Sequence, residues 1–349
     1  FTSLGLQKVE VDEIVSGDIA ALAGIPELTI GQTVTDPNTP EFLPPIEVEE
    51  PTIKIKIGPN TSPFAGREGE FVTSRQIRAR LYKEGETDLG LRIQDDTEST
   101  SFNVSGRGEL HLAMLIETMR REGFELEVSK PQVIYKIIDG QKCEPYEELT
   151  IDVHKDYMGA VTDELGKRKG KLINMHNVGD TGMRLVYKIS SRNLIGIRST
   201  LLTNTRGTAV LNTYLLGYEP EGTYMEGVRN GALVATQSGQ TLSYGLANAQ
   251  IRGTLFYGPG IDIYEGMVVG ISSQEKDLGV NVCKAKQLTN NRSSGEGVKT
   301  SLEPPTQLSL EQYLDIIAVD ELLEVTPKNL RLRKRYLTET ARKIAERKA

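Results

Sequence analysis

The chain contains no tryptophan, only two cysteines and only three histidines among its 349 residues, and each scarcity removes a class of function. Cys143 and Cys283 stand far apart, so neither a disulfide framework nor a cysteine-based zinc site can be built from them. His111, His154 and His176 fall on different expected elements with no His-x-x-x-His spacing, and each reads as a packing or hydrogen-bonding residue. No apolar run approaches the roughly 20 residues of a membrane helix, and the first residues lack the charged-then-apolar pattern of a secretion signal. The expectation is a soluble, cytoplasmic chain without metal, in which the three Asn-x-Ser sequons carry no meaning. A phosphate loop is missing too: Gly166-Lys167 and Gly170-Lys171 have neither the upstream glycine nor the following Ser/Thr. Asp163-Glu164-Leu165-Gly166 spells D-x-x-G, but on an amphipathic helix pattern it reads as a solvated face.

What is present is an ordinary globular composition, 38% apolar and 26% charged, long enough for about two to four domains. The net charge of -7 is unevenly spread. Residues 326–349 hold nine Lys/Arg against two Asp/Glu, leaving -14 on the rest. An acidic body with a basic end implies one directed contact with a polyanion. The chain opens at Phe1 on a strand-like run, which reads as a fragment of something longer.

Alternation in Gln7–Glu13 and again at Ile19–Leu22, around Gly17-Asp18, implies a hairpin within residues 1–36. Residues 37–51 form a linker: Asp36–Pro51 has five prolines and four glutamates, which exclude helix and central strand. From 52 to 140 the pattern reads β-α-β-β-α-β, with a strand at Ile53–Ile57, helices at Ser74–Glu84 and Glu109–Glu122, strands at Leu89–Gln94 and Ser101–Ser105, and a closing strand at Phe124–Tyr135; Gly123 sits where a C-capping glycine belongs. The order recurs over 141–220, with strands at Tyr146–His154, Leu172–Val178, Met183–Ser190 and Ala209–Tyr218 and helices at Gly159–Gly166 and Gly196–Thr205. Two such split units define an α+β multidomain chain with two ferredoxin-like domains. Within 221–349, Thr223–Gly297 reads as a small all-β module. Ser309–Gln312 then fits a capping box, and a last helix is expected from Thr326-Pro327.

Three basic features could meet a polyanion. Lys167, Arg168, Lys169 and Lys171 place four charges in five residues after a helix, against the alternative of a solubilising face. Lys284, Lys286, Arg292 and Lys299 flank a polar stretch holding Asn290, Asn291, Ser293 and Ser294, which could follow a folded RNA or merely connect. On the expected last helix, Leu330, Leu337, Ala341, Ile344 and Ala345 would face inward, leaving Arg331, Lys334, Arg335, Arg342 and Lys348 outward. The third strands lack interleaved aromatics, so backbone and shape contacts are expected rather than base stacking. A rival reading makes His111 with Glu109 a catalytic pair, and another makes the basic face a scaffold for acidic proteins.

Ser105-Gly106-Arg107-Gly108-Glu109-Leu110-His111-Leu112 closely resembles the third-domain signature of elongation factor G and its relatives. Val9–Val11 with Gly17–Ile25 resembles the closing strands of that family's second-domain β-barrel, and 141–220 is similar to its fifth domain, with no room for a fourth. Glu221–Tyr224, Arg229–Val234, Gly258-Pro259-Gly260 and Leu288–Gly295 resemble the BipA/TypA branch, with the elongation factor 4 (LepA) group as alternative. The resemblance implies a barrel end at 1–36, a third domain at 52–140, a fifth at 141–220 and a family-specific domain at 221–349. It implies a ribosome-associated GTPase acting in large-subunit assembly and in stress or cold adaptation. Its expected partners are ribosomal RNA of both subunits and the acceptor end of an A-site transfer RNA, met by a monomer without a membrane. The GTP-binding domain is absent from this chain, so no catalytic residue and no cofactor carries over; GTP and Mg belong to the missing domain. Leu288–Thr300 would reach toward the transfer RNA, and Lys167–Lys171 toward the sarcin-ricin and stalk-base RNA.

Overall fold

The structure, a computed structural model, describes all residues except 6, 26, 27, 29, 45–47, 224–228, 286–300 and 348–349. At the N-terminus β1 (Thr2–Leu4) and β2 (Gln7–Val9) pair antiparallel, Thr2 opposite Val9. This replaces the hairpin expected between Gln7–Glu13 and Ile19–Leu22. Ala21 lies beside the start of the pair, its N–H donating to the Phe1 carbonyl at 2.9 Å, and Ile19 is 90% exposed. Alternation gives a strand an apolar face, but without a second layer that face earns no burial energy.

The first α+β unit contains β3 (Ile53–Pro59), α1 (Ser74–Thr87), β4 (Arg92–Asp95), β5 (Phe102–Gly106), α2 (Glu109–Arg121) and β6 (Leu126–Ser129). Ile53, Ile55 and Ile57 point into the core while Lys54 and Lys56 point out. A capping box, Thr73 with Gln76, opens α1. Helix α2 buries Leu112, Ala113, Leu115, Ile116 and Met119 and ends at Gly123, whose φ of +95° lets the Phe124 N–H reach the Met119 carbonyl at 3.1 Å. Gly106 is required by crowding: a Cβ there would lie 2.9 Å from Leu112 Cδ2, whereas Gly108 has open space. Both helices pack on one face of the sheet, and on the other Lys54 and Lys56 are exposed while Asn103, Ser105, Glu127 and Ser129 are partly so. The strands run β6-β3-β5-β4, all antiparallel. Pro131 interrupts the run expected at Phe124–Tyr135, and β7 (Gln132–Val133) returns to pair with β3.

The second unit repeats the plan. It comprises β8 (Lys136–Ile138), β9 (Gln141–His154), α3 (Met158–Lys167), β10 (Lys171–Val178), β11 (Gly182–Ser190), α4 (Ser191–Leu194), α5 (Ile197–Asn204) and β12 (Val210–Pro220). Its order, β10-β11-β9-β12, is again second-third-first-fourth along the unit's β-α-β-β-α-β run, and antiparallel throughout. Leu149, Ile151, Val161, Leu165, Leu185 and Leu201 form a separate core. The helix expected at Gly196–Thr205 is α5, capped by Gly196 and Thr205; the short α4 precedes it, and Gly196 at φ +73° turns the chain between the two.

The C-terminal part contains β13 (Ala232–Ala235), β14 (Gly239–Gln240), α6 (Ser243–Gln250), β15 (Gly253–Leu255), β16 (Asp262–Ile263), β17 (Val268–Ser272), β18 (Leu278–Val280), α7 (Leu310–Ile316), β19 (Glu321–Val325), β20 (Leu330–Lys334) and α8 (Glu339–Glu346). Two expectations are corrected here. The module is not all-β: α6 buries Leu246 and Ala249, a pattern of eight residues too short to stand out in the sequence. The final helix does not start at Thr326-Pro327. Thr326 to Asn329 is a turn, closed by Thr326 N–H to the Asn329 carbonyl at 3.0 Å, and a strand follows in which Leu332 faces the core. Strand β19 pairs with β6, Leu323 opposite Val128, so the first unit's sheet continues as β20-β19-β6-β3-β5-β4 and its core is shared with the C-terminal part. The expected capping box at Ser309 is present, opening α7. Among the described residues no helix is long and apolar enough to cross a membrane.

Candidate polyanion interface

Helix α3 buries Val161 and Leu165 and then closes on a tight turn. The Lys169 N–H reaches the Gly166 carbonyl at 3.1 Å and the Gly170 N–H the Leu165 carbonyl at 2.8 Å, with Lys169 itself left-handed at φ +60°. This geometry separates the four cations. Lys167, Lys169 and Lys171 are exposed, and none of them forms an ion pair among the described residues. Lys171 opens β10 opposite Lys188, another cation, whose ammonium is held 2.5 Å from Glu219. Arg168 goes the other way and corrects its expected role. It is 3% exposed, its Nε donates to Glu164 at 2.7 Å, and its Nη1 donates to the Asn193 and Ile195 carbonyls at 3.0 and 2.7 Å. A guanidinium so enclosed anchors the turn and is not offered to a ligand.

Arg331 and Lys334 are corrected in the same way. Both lie on β20, not on a helix, and are 9% and 1% exposed. Arg331 pairs with Glu68 and, at 2.9 Å, with Glu324. Lys334 lies 2.5, 2.8 and 3.0 Å from Asp277, Asp320 and Glu321, and burial is opposed there by enough carboxylate charge to raise its pKa. Arg335 is exposed; its backbone N–H donates to the Asp320 carbonyl at 2.8 Å and its guanidinium to the Val319 carbonyl at 3.4 Å. Helix α8 is exposed, with Lys343 paired to Glu339 at 2.6 Å and Arg342 turned to the Leu337 carbonyl at 2.6 Å. Lys284 is exposed, whereas Lys286, Asn290, Asn291, Arg292, Ser293, Ser294 and Lys299 lie outside the described residues.

The two units and the C-terminal part meet behind the Arg168 turn. The Gly196 N–H donates to both Glu109 carboxyl oxygens at 3.1 Å, and Asp315 on α7 accepts from the Ser199 hydroxyl. Burial, reinforced by Asp315, pushes the Glu109 carboxyl up to about 8, and burial raises Asp315 as well. Glu109 therefore joins units; it is not the partner of His111. That imidazole's Nε2 lies 2.7 Å from Asp88, and its Nδ1 accepts from the Arg107 N–H at 3.4 Å. The arrangement ties the strand-to-helix turn to the end of α1 and removes the pair that a hydrolase reading required. The described residues hold no group of three or more His, Cys, Asp or Glu able to bind a metal ion. The D-x-x-G string at 163–166 lies inside α3.

Comparison with known proteins gives the class and then the family. Residues 141–225 match the Elongation factor G C-terminus and residues 230–339 the TypA/BipA C-terminal domain. The α+β chain thus carries an elongation factor G-type C-terminal domain followed by a TypA/BipA-type one. The chain is 48% identical over 347 residues to a "Large ribosomal subunit assembly factor BipA" of Salmonella typhimurium, covering 99% of this chain and 57% of that protein. The same name is carried by a Haemophilus influenzae relative, 48% identical over 99% of this chain and 56% of its own length. A Synechocystis relative of that name is 44% identical over 95% of this chain and 55% of its own length. The chain belongs to the BipA/TypA family, and it spans somewhat more than half the length of these relatives.

Proposed function

We propose that this chain is the ribosome-docking part of a BipA-type translational GTPase, in which GTP hydrolysis belongs to a domain outside the sequence given. Its two antiparallel units, strand order second-third-first-fourth, are ferredoxin-like domains, and residues 1–36 are the end of a β-barrel. The relatives are named for large-subunit assembly, and the same role is proposed here, in the cytoplasm and as a monomer. The partner is folded ribosomal RNA of both subunits, and Leu288–Thr300, outside the described residues, is assigned by family resemblance to the acceptor end of an A-site transfer RNA. One observation carries the reading: Lys167, Lys169 and Lys171 project from a turn fixed by Arg168 and stay free of carboxylates among the described residues. Uncompensated cations fixed on a rigid turn are what a phosphate backbone binds, with release of its counter-ions.

Co-sedimentation with purified large subunits across a salt series tests this. Affinity should fall linearly on a log–log plot, losing a slope of about 0.7–0.9 per phosphate contacted. Binding indifferent to salt, or none at low salt, would refute it.

A further inference from the structure

The first unit's sheet leaves one face without helices. Along β3, Lys54 and Lys56 stand on that face, about 7 Å apart at the rise of a strand. Lys54 lies opposite Ser105 on one neighbour and Gln132 on the other, and the Lys56 N–H donates to Ser129 Oγ at 2.9 Å. Lys130 follows immediately. It lines, with Lys56, Ser101, Ser129 and Arg335, a groove of about 540 Å³ that crosses from β3 and β6 to the end of β20.

The charges in and beside this groove are incompletely balanced. Asp96 holds Lys56 at 2.8 Å and Glu127 holds Arg333 at 2.6 Å, which leaves Glu98 as the remaining acid of the lining. Against it stand Lys54, Lys130 and Arg335, none ion-paired among the described residues. Lys130 is the most telling, being half-buried with its pKa held below the ordinary lysine value by burial and by nearby Arg229, which together outweigh the opposing charge of Glu321. Such an ammonium gains from an arriving anion. The remaining lining is hydroxyl and amide groups with two aliphatic side chains, Val319 and Leu322, and no aromatic ring. Hydroxyls and cations on a twisted sheet suit phosphate and ribose oxygens; stacking of bases has no platform here.

We propose that this open face is a second RNA contact, in which Lys54, Lys130 and Arg335 take the sugar–phosphate backbone of a folded RNA. The inference rests on the RNA-docking reading above and adds a surface to it. Because β19 and β20 belong to the same sheet, the contact would span the first unit and the C-terminal part and so read their relative placement.

The test uses the whole chain and purified ribosomal subunits in a salt series, with Lys54→Glu/Lys130→Glu/Arg335→Glu beside Lys167→Glu/Lys169→Glu/Lys171→Glu. A milder set with glutamine in place of glutamate covers any loss of folding, which thermal melting reports. The expected result is at least about tenfold weaker binding for the sheet-face variant and a log–log salt slope shallower by about 2–3. If the turn variant is weakened and the sheet-face variant binds with the parent's affinity and slope, the inference falls while RNA docking stands. If the parent itself shows no salt-dependent affinity, both fall. If the sheet-face effect persists on nuclease-stripped ribosomal protein, the occupant is an acidic protein and the RNA assignment is overturned.

Discussion

Residues 167–171 and 331–335 each carry four cations in five positions, and the fold puts them to opposite uses. At 167–171 a helix ends, and the closing turn throws three lysines out and one arginine in. At 331–334 the buried strand β20 meets carboxylates, and Arg335, just past its end, is the one cation of the run left exposed. Glu68, Glu127, Asp277, Asp320, Glu321 and Glu324 converge on β20 from several segments. Local charge density is the same in both, so density does not decide exposure. What decides it is whether distant acids are brought to the run by tertiary packing, which no local pattern records.

The contrast predicts unequal costs of truncation. Arg331→Ala leaves the buried Glu324 and the half-buried Glu68 without their shared cation and should cost about 3–5 kcal/mol in denaturant unfolding, as breaking buried pairs does. A loss below about 1 kcal/mol would mean the pair is solvated and the two basic runs are alike. Arg168→Ala removes two carbonyl contacts and the Glu164 pair and should cost about 1–3 kcal/mol, whereas Lys169→Ala beside it should change stability by less than about 0.5 kcal/mol.

Glu109 sharpens the comparison through pH, since it is acid buried without full compensation. It faces Gly196 on the α5 side, Asp315 from α7, Glu147 from β9 and Arg168 from the end of α3. Its carboxyl is raised from 4.5 to about 8, so between those values the folded chain keeps a proton that the unfolded chain has released. Stability should therefore fall as pH rises through that window and level off above it. Glu109→Gln lacks this slope. Its melting advantage over the parent should be near zero at the acid end and grow to a few kcal/mol or less at the alkaline end. A constant difference across the range would show that Glu109 is not the titrating group.

Much of the fold was legible from the residues. The isoleucine–lysine alternation at 53–57, the apolar stripe of 110–119 with Gly123 after it, and the Ser309–Gln312 box all describe local geometry, and they marked β3, α2 and α7. The last basic helix exists as α8, but its start differs from the expected one because Pro327 and the charges that follow mimic a helix start, while Leu330 and Leu332 offer only two apolar positions from which to read a strand. The N-terminal hairpin was misplaced because alternation fixes which face is apolar without saying what covers it. At the candidate site the sequence brought out the 167–171 cluster but could not tell Arg168 from its neighbours, since its partners, the Asn193 and Ile195 carbonyls, lie at the end of α4, some 25 residues on. Lys54 and Lys56 were visible only as the polar half of a strand, and Lys130 carried no signal at all. Their common face exists only once the sheet is assembled.

Residue-resolved acetylation of lysines under native conditions, followed by mass spectrometry, reports most directly on which cations the fold leaves free. Lys167, Lys169 and Lys171 should be modified at rates close to those of an unfolded peptide, and Lys334 should be protected until global unfolding. Equal reactivity of Lys334 and Lys169 would contradict the division of labour between the two basic segments.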